Sequence, residues 1–182
     1  GSRSSEIETL WEPMQYIVKK LKHKYPKIEV TTVVVDQKRK ETLKSMQVLG
    51  FGCKYSIDSV RETARKSDLC IVASGTLQVA SAGCPMIIMY QSNKLMWHLL
   101  GKRLIRIKQL SLVNILAGKE LVPEFMPYFS SYEAIAERAE KMLGDKETLS
   151  SLSGQLLELV KPLASRSASA KVKSIIIEMI GQ

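Results

Sequence analysis

Residues 74–76, Ser-Gly-Thr, stand between two apolar runs and have the residue types needed to face a phosphate group. Gly75 permits a backbone angle that other residues avoid, and the Thr76 hydroxyl can cap a following helix. Backbone N–H groups at the start of a helix attract anions. We therefore interpret Ser74, Gly75 and Thr76 as a candidate phosphate-binding turn.

The flanking runs predict the elements that must hold this turn in place. Leu69 to Ala73 is predicted to be a strand, and so is Pro85 to Tyr90, with one helix between them. Two strands separated by a single helix are expected to be parallel, because parallel strands need a crossover connection. The turn would then follow the carboxyl end of the first strand.

Strands and helices are predicted to alternate before this unit, which is typical of an α/β parallel sheet. A helix is predicted over 5–25, with a second helix starting near Trp11 to accommodate Pro13. Further elements are a buried strand over 28–35, a helix over 38–49, a strand ending at Ile57 and a helix over 59–66. After an irregular segment over 110–127, only helices are predicted, at 132–143, 146–160 and 168–180.

Size and hydropathy favour one globular domain. With 182 residues and 45% hydrophobic content, the chain can bury a substantial core. Its longest apolar runs are shorter than the roughly 20 residues needed to cross a bilayer, and no signal-peptide pattern stands at the start. We expect a cytoplasmic protein.

The three cysteines, Cys53, Cys70 and Cys84, show no metal-ligand spacing. They lie in or beside predicted strands, and we expect buried, reduced thiols. No metal site is predicted. A cysteine hydrolase based on Cys84 is not favoured, since His23 and His98 are the only histidines and Pro85 fits the start of a strand.

The formal charge of +9 favours acidic partners such as nucleic acid, anionic lipid or a phosphorylated ligand. A basic amphipathic stretch over 93–108, "NKLMWHLLGKRLIRIK", can be a helix packed on the sheet or a surface that touches anionic membrane. Aromatic residues make up 6% of the chain and show no stacking pattern among the basic ones, so nucleic acid is not an expected partner. A nicotinamide enzyme is also not favoured, because the chain has no G-x-G-x-x-G after a strand.

Three stretches together resemble the C-terminal half of the lipid-A-disaccharide synthase family. They are "GSRSSEIETL", "VASGTLQVASAGCPMIIMY" and "SLVNILAGKELVPEFM", in the family's order and at about its spacing. The 111–124 stretch is the most specific of the three. The resemblance implies the nucleotide-sugar-binding, Rossmann-like C-terminal lobe of a GT-B glycosyltransferase, a single lobe over 1–182 that is mostly helical after about residue 131.

The resemblance also implies a reaction and its partners. The family moves 2,3-diacylglucosamine from its UDP carrier to 2,3-diacylglucosamine 1-phosphate, which makes the lipid A disaccharide precursor. Expected partners are therefore UDP, the UDP-linked acylated sugar, the acylated sugar phosphate acceptor and an anionic membrane surface, with a peripheral location at the inner membrane. No cofactor is implied.

Further site residues are implied by position in the family motifs. Arg3 in "GSR" matches a cation suited to a diphosphate. Ile57 lies where related transferases read uracil through the main chain. Asn114 matches an asparagine expected in the loop after the last strand, where its amide can bond substrate or stabilise the loop. Gln78 stands where the family has a glutamate that holds ribose hydroxyls, and it can still bond a hydroxyl.

The sequence differs from the family pattern at single residues and in the length of the family protein that it covers. Val113 replaces a proline and Lys119 an arginine. The family has a strand directly before "GSR" and an N-terminal acceptor lobe with the catalytic base, and neither is found in these residues. We expect a fragment that binds UDP, is inactive alone, and has no assignable catalytic residue. The alternative is a basic α/β module that binds anionic membrane or nucleic acid.

Overall fold

The computed structural model describes residues 4–91 and 109–165, and these ranges contain seven helices and five strands. The helices are α1 (Ser4–Lys24), α2 (Gln37–Ser45), α3 (Val60–Arg65), α4 (Thr76–Ser81), α5 (Leu112–Ala117), α6 (Tyr132–Leu143) and α7 (Lys146–Ser165). The strands are β1 (Thr31–Val34), β2 (Lys54–Ile57), β3 (Cys70–Val72), β4 (Met86–Met89) and β5 (Glu124–Phe125). The predicted α/β class is confirmed.

All strand pairs are parallel, as predicted, but hydrogen bonding divides the strands into two groups. β1 pairs with β2, and Val34 faces Ile57 at the carboxyl end of that pair. The other three strands lie in the order β3-β4-β5. Since paired parallel strands end on the same side, the chain segments that follow β3 and β4 leave one common edge.

The main core surrounds β4, whose residues Met86, Ile87, Ile88 and Met89 are all completely buried. Neighbouring strands cover both of its edges, and helices cover its faces. A strand with two covered faces is expected to be apolar throughout, and β4 follows this pattern. Ile17, Ile135 and Leu156 bring α1, α6 and α7 into the same core.

The β1–β2 pair has a smaller core of its own, formed by Ile7, Trp11, Val34 and Leu43. The prediction of a buried strand over 28–35 was wrong in extent and in burial. β1 has four residues, and only Val34 is buried among them. The β-branched composition predicts a strand, but composition does not distinguish a central strand from one in a two-stranded pair.

Helix α1 is continuous, so the predicted second helix near Trp11 was wrong. Pro13 lies inside α1 and is buried. A proline removes one helical hydrogen bond and costs about 3 kcal/mol in a helix interior. Burial of Leu10 and Ile17 on either side offsets this cost, and the Trp11 indole donates to the Leu43 carbonyl at 2.9 Å.

The prediction of an irregular segment over 110–127 was also wrong, because α5 and β5 both lie within it. Ser111 caps α5, and its hydroxyl accepts from the Asn114 N–H at 3.4 Å. Gly118 ends the helix with φ of 65°. Six helical residues and two strand residues are too few to show a recognisable period.

The predicted C-terminal helices at 132–143 and 146–160 are confirmed as α6 and α7, and α7 continues to Ser165. The predicted helix at 168–180 and the basic stretch at 93–108 lie outside the described residues. Within residues 4–91 and 109–165, no helix is long and apolar enough to cross a membrane.

Candidate functional site

The Ser-Gly-Thr turn joins β3 to α4 at the carboxyl end of β3, where the sequence predicts it. Gly75 has φ of 72° and ψ of 22° and occupies the cap position of α4. Ser74, Gly75 and Gln78 are exposed. This is the one point on the β3–β4 connection where the backbone needs the left-handed conformation before a helix, which explains the glycine.

Thr76 does not have the predicted capping role. It is the first residue of α4, is 8% exposed, and does not occupy the cap position, which belongs to Gly75. The Gly75 carbonyl instead accepts from the N–H groups of Gln78 at 3.0 Å and Val79 at 3.2 Å. The N–H groups of Ser74, Gly75 and Thr76 form no hydrogen bond with any described residue, so a ligand could approach them at Ser74 and Gly75.

Ile57 ends β2 in the other group of strands, and its side chain is 44% exposed. Asp58 follows with φ of 47°, and its N–H donates to the Val34 carbonyl at 2.8 Å. That main-chain donor is therefore already used. Between the described residues no hydrogen bond joins Ile57 to the 74–76 turn.

Asn114 follows β4, the last strand predicted from the sequence, but it lies in the helix α5 and not in a loop as predicted. Its side chain is completely buried. The amide nitrogen donates to the Val122 carbonyl at 2.9 Å and to Glu124 Oε2 at 2.8 Å. The amide oxygen accepts from the N–H groups of Leu121 at 2.9 Å and Val122 at 3.0 Å.

These four bonds use the full capacity of a side-chain amide, which has two N–H donors and two acceptor sites. Asn114 thus joins α5 to the segment that leads into β5, as expected of the stabilising alternative. Helix α5 also packs against α4. The structure therefore places the Asn114 helix beside the helix that follows the 74–76 turn.

Glu124 is the residue that sequence reasoning missed. Its carboxylate accepts from the Leu110 N–H at 2.6 Å, the Ser111 N–H at 3.1 Å and the Ser111 hydroxyl at 2.7 Å, besides Asn114. Burial opposes its ionisation, but these hydrogen bonds hold the pKa of Glu124 below its usual value. The sequence signal that could have indicated Glu124 is its place in the 111–124 stretch, which also contains Ser111 and Asn114.

Both described cavities lie away from these residues. An open groove of about 800 Å³ runs along α1 and α6, beside Tyr16, Lys20 and Glu140. A second cavity of about 410 Å³ lies at the amino ends of β3 and β4, beside Ser67, Cys84 and Lys146. Neither cavity is lined by residues of the 74–76 turn.

Two further predictions concern residues outside the described ranges. Arg3 lies outside the described residues, and so does the 92–108 segment that connects β4 to α5. Among residues 4–91 and 109–165, no group of three His, Cys, Asp or Glu side chains could hold a metal ion.

Comparison with known families decides the relationship of the chain. A family model described as lipid-A-disaccharide synthetase matches residues 1–176. The chain belongs to the lipid-A-disaccharide synthetase family. The predicted resemblance is confirmed, and the parallel α/β architecture agrees with a lobe of a GT-B glycosyltransferase.

Curated relatives of the lipid-A-disaccharide synthetase family support this membership. The chain is similar to the lipid-A-disaccharide synthase of Erwinia tasmaniensis, with 32% identity over 164 residues, 87% of this chain and 43% of the relative. It is 28% identical to that of Geobacter sulfurreducens over 185 residues, 100% of this chain and 48% of the relative. The chain thus spans slightly less than half the length of these two relatives.

Proposed function

We propose that this chain is the nucleotide-sugar-binding half of a lipid-A-disaccharide synthase and that it binds UDP. The observation that supports this most is the family match over 1–176. A parallel strand-turn-helix-strand unit lies within the matched range. In open parallel sheets, ligands bind outside the carboxyl ends of the strands, which is where the 74–76 turn lies.

In this proposal the diphosphate of UDP lies against the turn after β3. Ser74 and Gly75 are exposed and supply backbone N–H groups, and the Ser74 hydroxyl can donate a further bond. The exposed Gln78 amide, one turn into α4, would bond a ribose hydroxyl. The main chain at Ile57, a residue that is 44% exposed, would meet the uracil through groups other than the Asp58 N–H.

Asn114 enters the proposal as a supporting residue. Its hydrogen bonds to Leu121, Val122 and Glu124 leave the amide no free group to offer a substrate. Its contribution would be to hold α5, and through the packing of α5 on α4 to hold the turn. Of the two roles considered for Asn114, we therefore propose stabilisation of the structure and not direct contact with the substrate.

A fixed cation is expected beside the diphosphate, because an exposed helix start contributes only about 0.3 to 1 kcal/mol to binding a negative charge. We propose Arg3 for this role. Its guanidinium can bond two phosphate oxygens at once, which a lysine cannot do with the same geometry.

Our proposal for the whole reaction is based on family membership. The proposed transfer moves 2,3-diacylglucosamine from UDP to the 1-phosphate acceptor, and it needs a base that removes a proton from the acceptor hydroxyl. The residues assigned here stabilise the UDP leaving group only. We propose that the acceptor and its base belong to a second lobe. Because both substrates are acylated, we also propose a cytoplasmic enzyme working at the surface of the inner membrane.

The charge assignment is tested by comparing Arg3→Ala with Lys22→Ala. Lys22 donates to the Gly52 carbonyl at 2.6 Å, in the loop before β2 and away from the proposed diphosphate. Arg3→Ala should weaken UDP binding by roughly 10- to 150-fold, since hydrogen bonds to charged groups contribute about 1.5 to 3 kcal/mol. Lys22→Ala should change it little. Titration calorimetry at low and high salt measures both.

Equal losses from the two variants, both disappearing in high salt, would contradict a role for Arg3. They would show that UDP is held by diffuse attraction to the positive charge of the chain. That outcome would also favour the alternative of a basic binding module.

A further inference from the structure

Two of the three cysteines lie side by side. The Sγ atoms of Cys70 and Cys84 are 3.4 Å apart, and both thiols are free. Cys70 begins β3, and Cys84 comes just before β4, whose first residue Met86 pairs with Cys70. The parallel pairing therefore places the two thiols next to each other at the amino end of the sheet.

The surroundings make the two thiols unequal. Cys84 is 2% exposed, and its Sγ lies 3.2 Å from the Ser67 carbonyl and 3.4 Å from the Pro85 carbonyl. These acceptors and the Cys70 sulfur favour a protonated Cys84. The hydrogen bond between the two thiols lowers the pKa of Cys70, although burial opposes this, so Cys70 is the better nucleophile of the pair.

A small molecule can reach this end of the sheet. The cavity of about 410 Å³ is lined by Cys84 together with Ser67, Asp68 and Pro85. Cys70 itself is partly exposed. A molecule the size of hydrogen peroxide is far smaller than this space.

We propose that Cys70 and Cys84 are an oxidation site that closes to a reversible disulfide when hydrogen peroxide is present. A disulfide has an S–S distance of about 2.05 Å, so the two sulfur atoms must approach by roughly 1.4 Å. Side-chain rotation and a small shift of the turn before β4 would supply this movement.

The chemistry balances with one peroxide for each pair. The Cys70 thiolate attacks one peroxide oxygen, the O–O bond breaks, and the released hydroxide takes a proton to become water. The Cys84 sulfur then attacks the Cys70 sulfenic sulfur. The S–O bond breaks, and the departing hydroxide takes the Cys84 proton to form a second water. Two thiols are oxidised, and peroxide is reduced to two waters.

The disulfide would enclose the turn that we propose binds the diphosphate. Residues 71–83 lie between the two cysteines and contain the 74–76 turn and α4. Closing this loop restricts the segment that presents the turn. The proposal itself needs only the thiol geometry and is independent of UDP binding.

Thiol mapping of the full 182-residue chain tests the proposal. The folded protein is treated with hydrogen peroxide, the peroxide is removed, and the protein is denatured and alkylated before digestion with trypsin. Lys66 and Lys94 bound a peptide that contains both Cys70 and Cys84, whereas Cys53 falls in the peptide 45–54. We expect the 67–94 peptide to lose two hydrogen atoms, to resist alkylation, and to become alkylated after dithiothreitol.

Cys53 is the internal control, because its sulfur lies near Thr32 and Gln47 rather than another thiol. Its peptide should show no reversible disulfide within the chain. In Cys84→Ser, Cys70 should accumulate a sulfenic acid that dimedone traps, and the wild type should not. Two alkyl groups on the 67–94 peptide after peroxide, or Cys70 oxidised to sulfinic acid without a disulfide, would overturn the proposal.

Discussion

Glu124 holds together the segment that the sequence treats as irregular. Its carboxylate accepts four hydrogen bonds, from Leu110, Asn114 and both the backbone and the hydroxyl of Ser111. These bonds join the start of α5 to β5, and β5 pairs with the buried strand β4. The ionised Glu124 side chain thus adds to the Asn114 hydrogen bonds that connect α5 to β5.

Replacing Glu124 by Gln should therefore make the free energy of unfolding less dependent on pH. The folded-state pKa of Glu124 is lowered, so its ionised form stabilises the fold above the unfolded pKa of about 4.3. This contribution is lost as pH falls through the folded pKa. At pH 7, Glu124→Gln should be less stable by about 1 to 2 kcal/mol. Urea unfolding from pH 7 to pH 3 measures the difference, which should shrink below pH 4.

Glu62→Gln is the matched control, because Glu62 is an exposed side chain on α3. It should unfold with the wild-type pH dependence. A constant difference between Glu124→Gln and wild type across this pH range would mean that the ionised carboxylate is not what stabilises the segment.

At the residue scale, the sequence predicts the conformation of the 74–76 turn better than the hydrogen bonds of the residues around it. Gly75 takes the predicted left-handed conformation, because few other residues tolerate it before a helix. The role of Thr76 was wrong, since glycine itself occupies the cap position. Asn114 and Glu124 meet through folding of the 109–125 segment, and a pattern of residue types does not reveal which polar groups will be buried together.

At the element scale, α7 packs against α4, the helix that follows the 74–76 turn. The two helices pack together, and Leu156 of α7 is completely buried, whereas its neighbour Leu157 is 46% exposed. Leu156→Ala should lower the free energy of unfolding by about 2 to 5 kcal/mol, because it removes buried methyl groups and leaves a cavity. Urea denaturation measures this loss.

Leu157→Ala is the control on the same helix, with the same change in helix propensity and less buried surface lost. We expect it to cost well under half as much as Leu156→Ala. If the two variants lose similar stability, α7 does not present Leu156 to the main core in the orientation described.

Element types follow from sequence more readily than element limits. β4 is predicted as a continuous apolar run because both of its faces are buried. α6 and α7 are predicted as amphipathic patterns because burial of one helix face imposes the helical period. The continuity of α1 through Pro13 depends on tertiary packing, which local propensity cannot show. The same holds for α5, whose six residues are held by Ser111 and Glu124.

At the scale of the whole molecule, the chain covers 43% and 48% of the two relatives described above. We predict that these 182 residues alone form no disaccharide from the UDP-linked and 1-phosphate substrates. Positioning of two reactants can supply about 7 to 11 kcal/mol of barrier reduction, and a general base adds to it. Mass spectrometry of the products measures turnover.

Adding a separately produced N-terminal half of a family member should restore product formation, and the Gly75→Ala form of this chain should restore less. Disaccharide formed by the 182 residues by themselves would show that the acceptor site and its base lie within them.

UDP binding to the folded chain tests the central claim most directly, and calorimetry with two glycine variants locates the site. Gly75 and Gly50 have φ of 72° and 78°, so alanine at either position should cost about 1 to 2 kcal/mol of stability. An added Cβ at Gly75 would lie 3.2 Å from Gln78 Oε1, whereas at Gly50 it would meet nothing within 4 Å. The account predicts that wild type and Gly50→Ala bind UDP equally and that Gly75→Ala binds about 5 to 30 times more weakly, as its turn relaxes from the binding conformation. No binding by folded wild-type chain at millimolar UDP, or equal binding by all three, would contradict it.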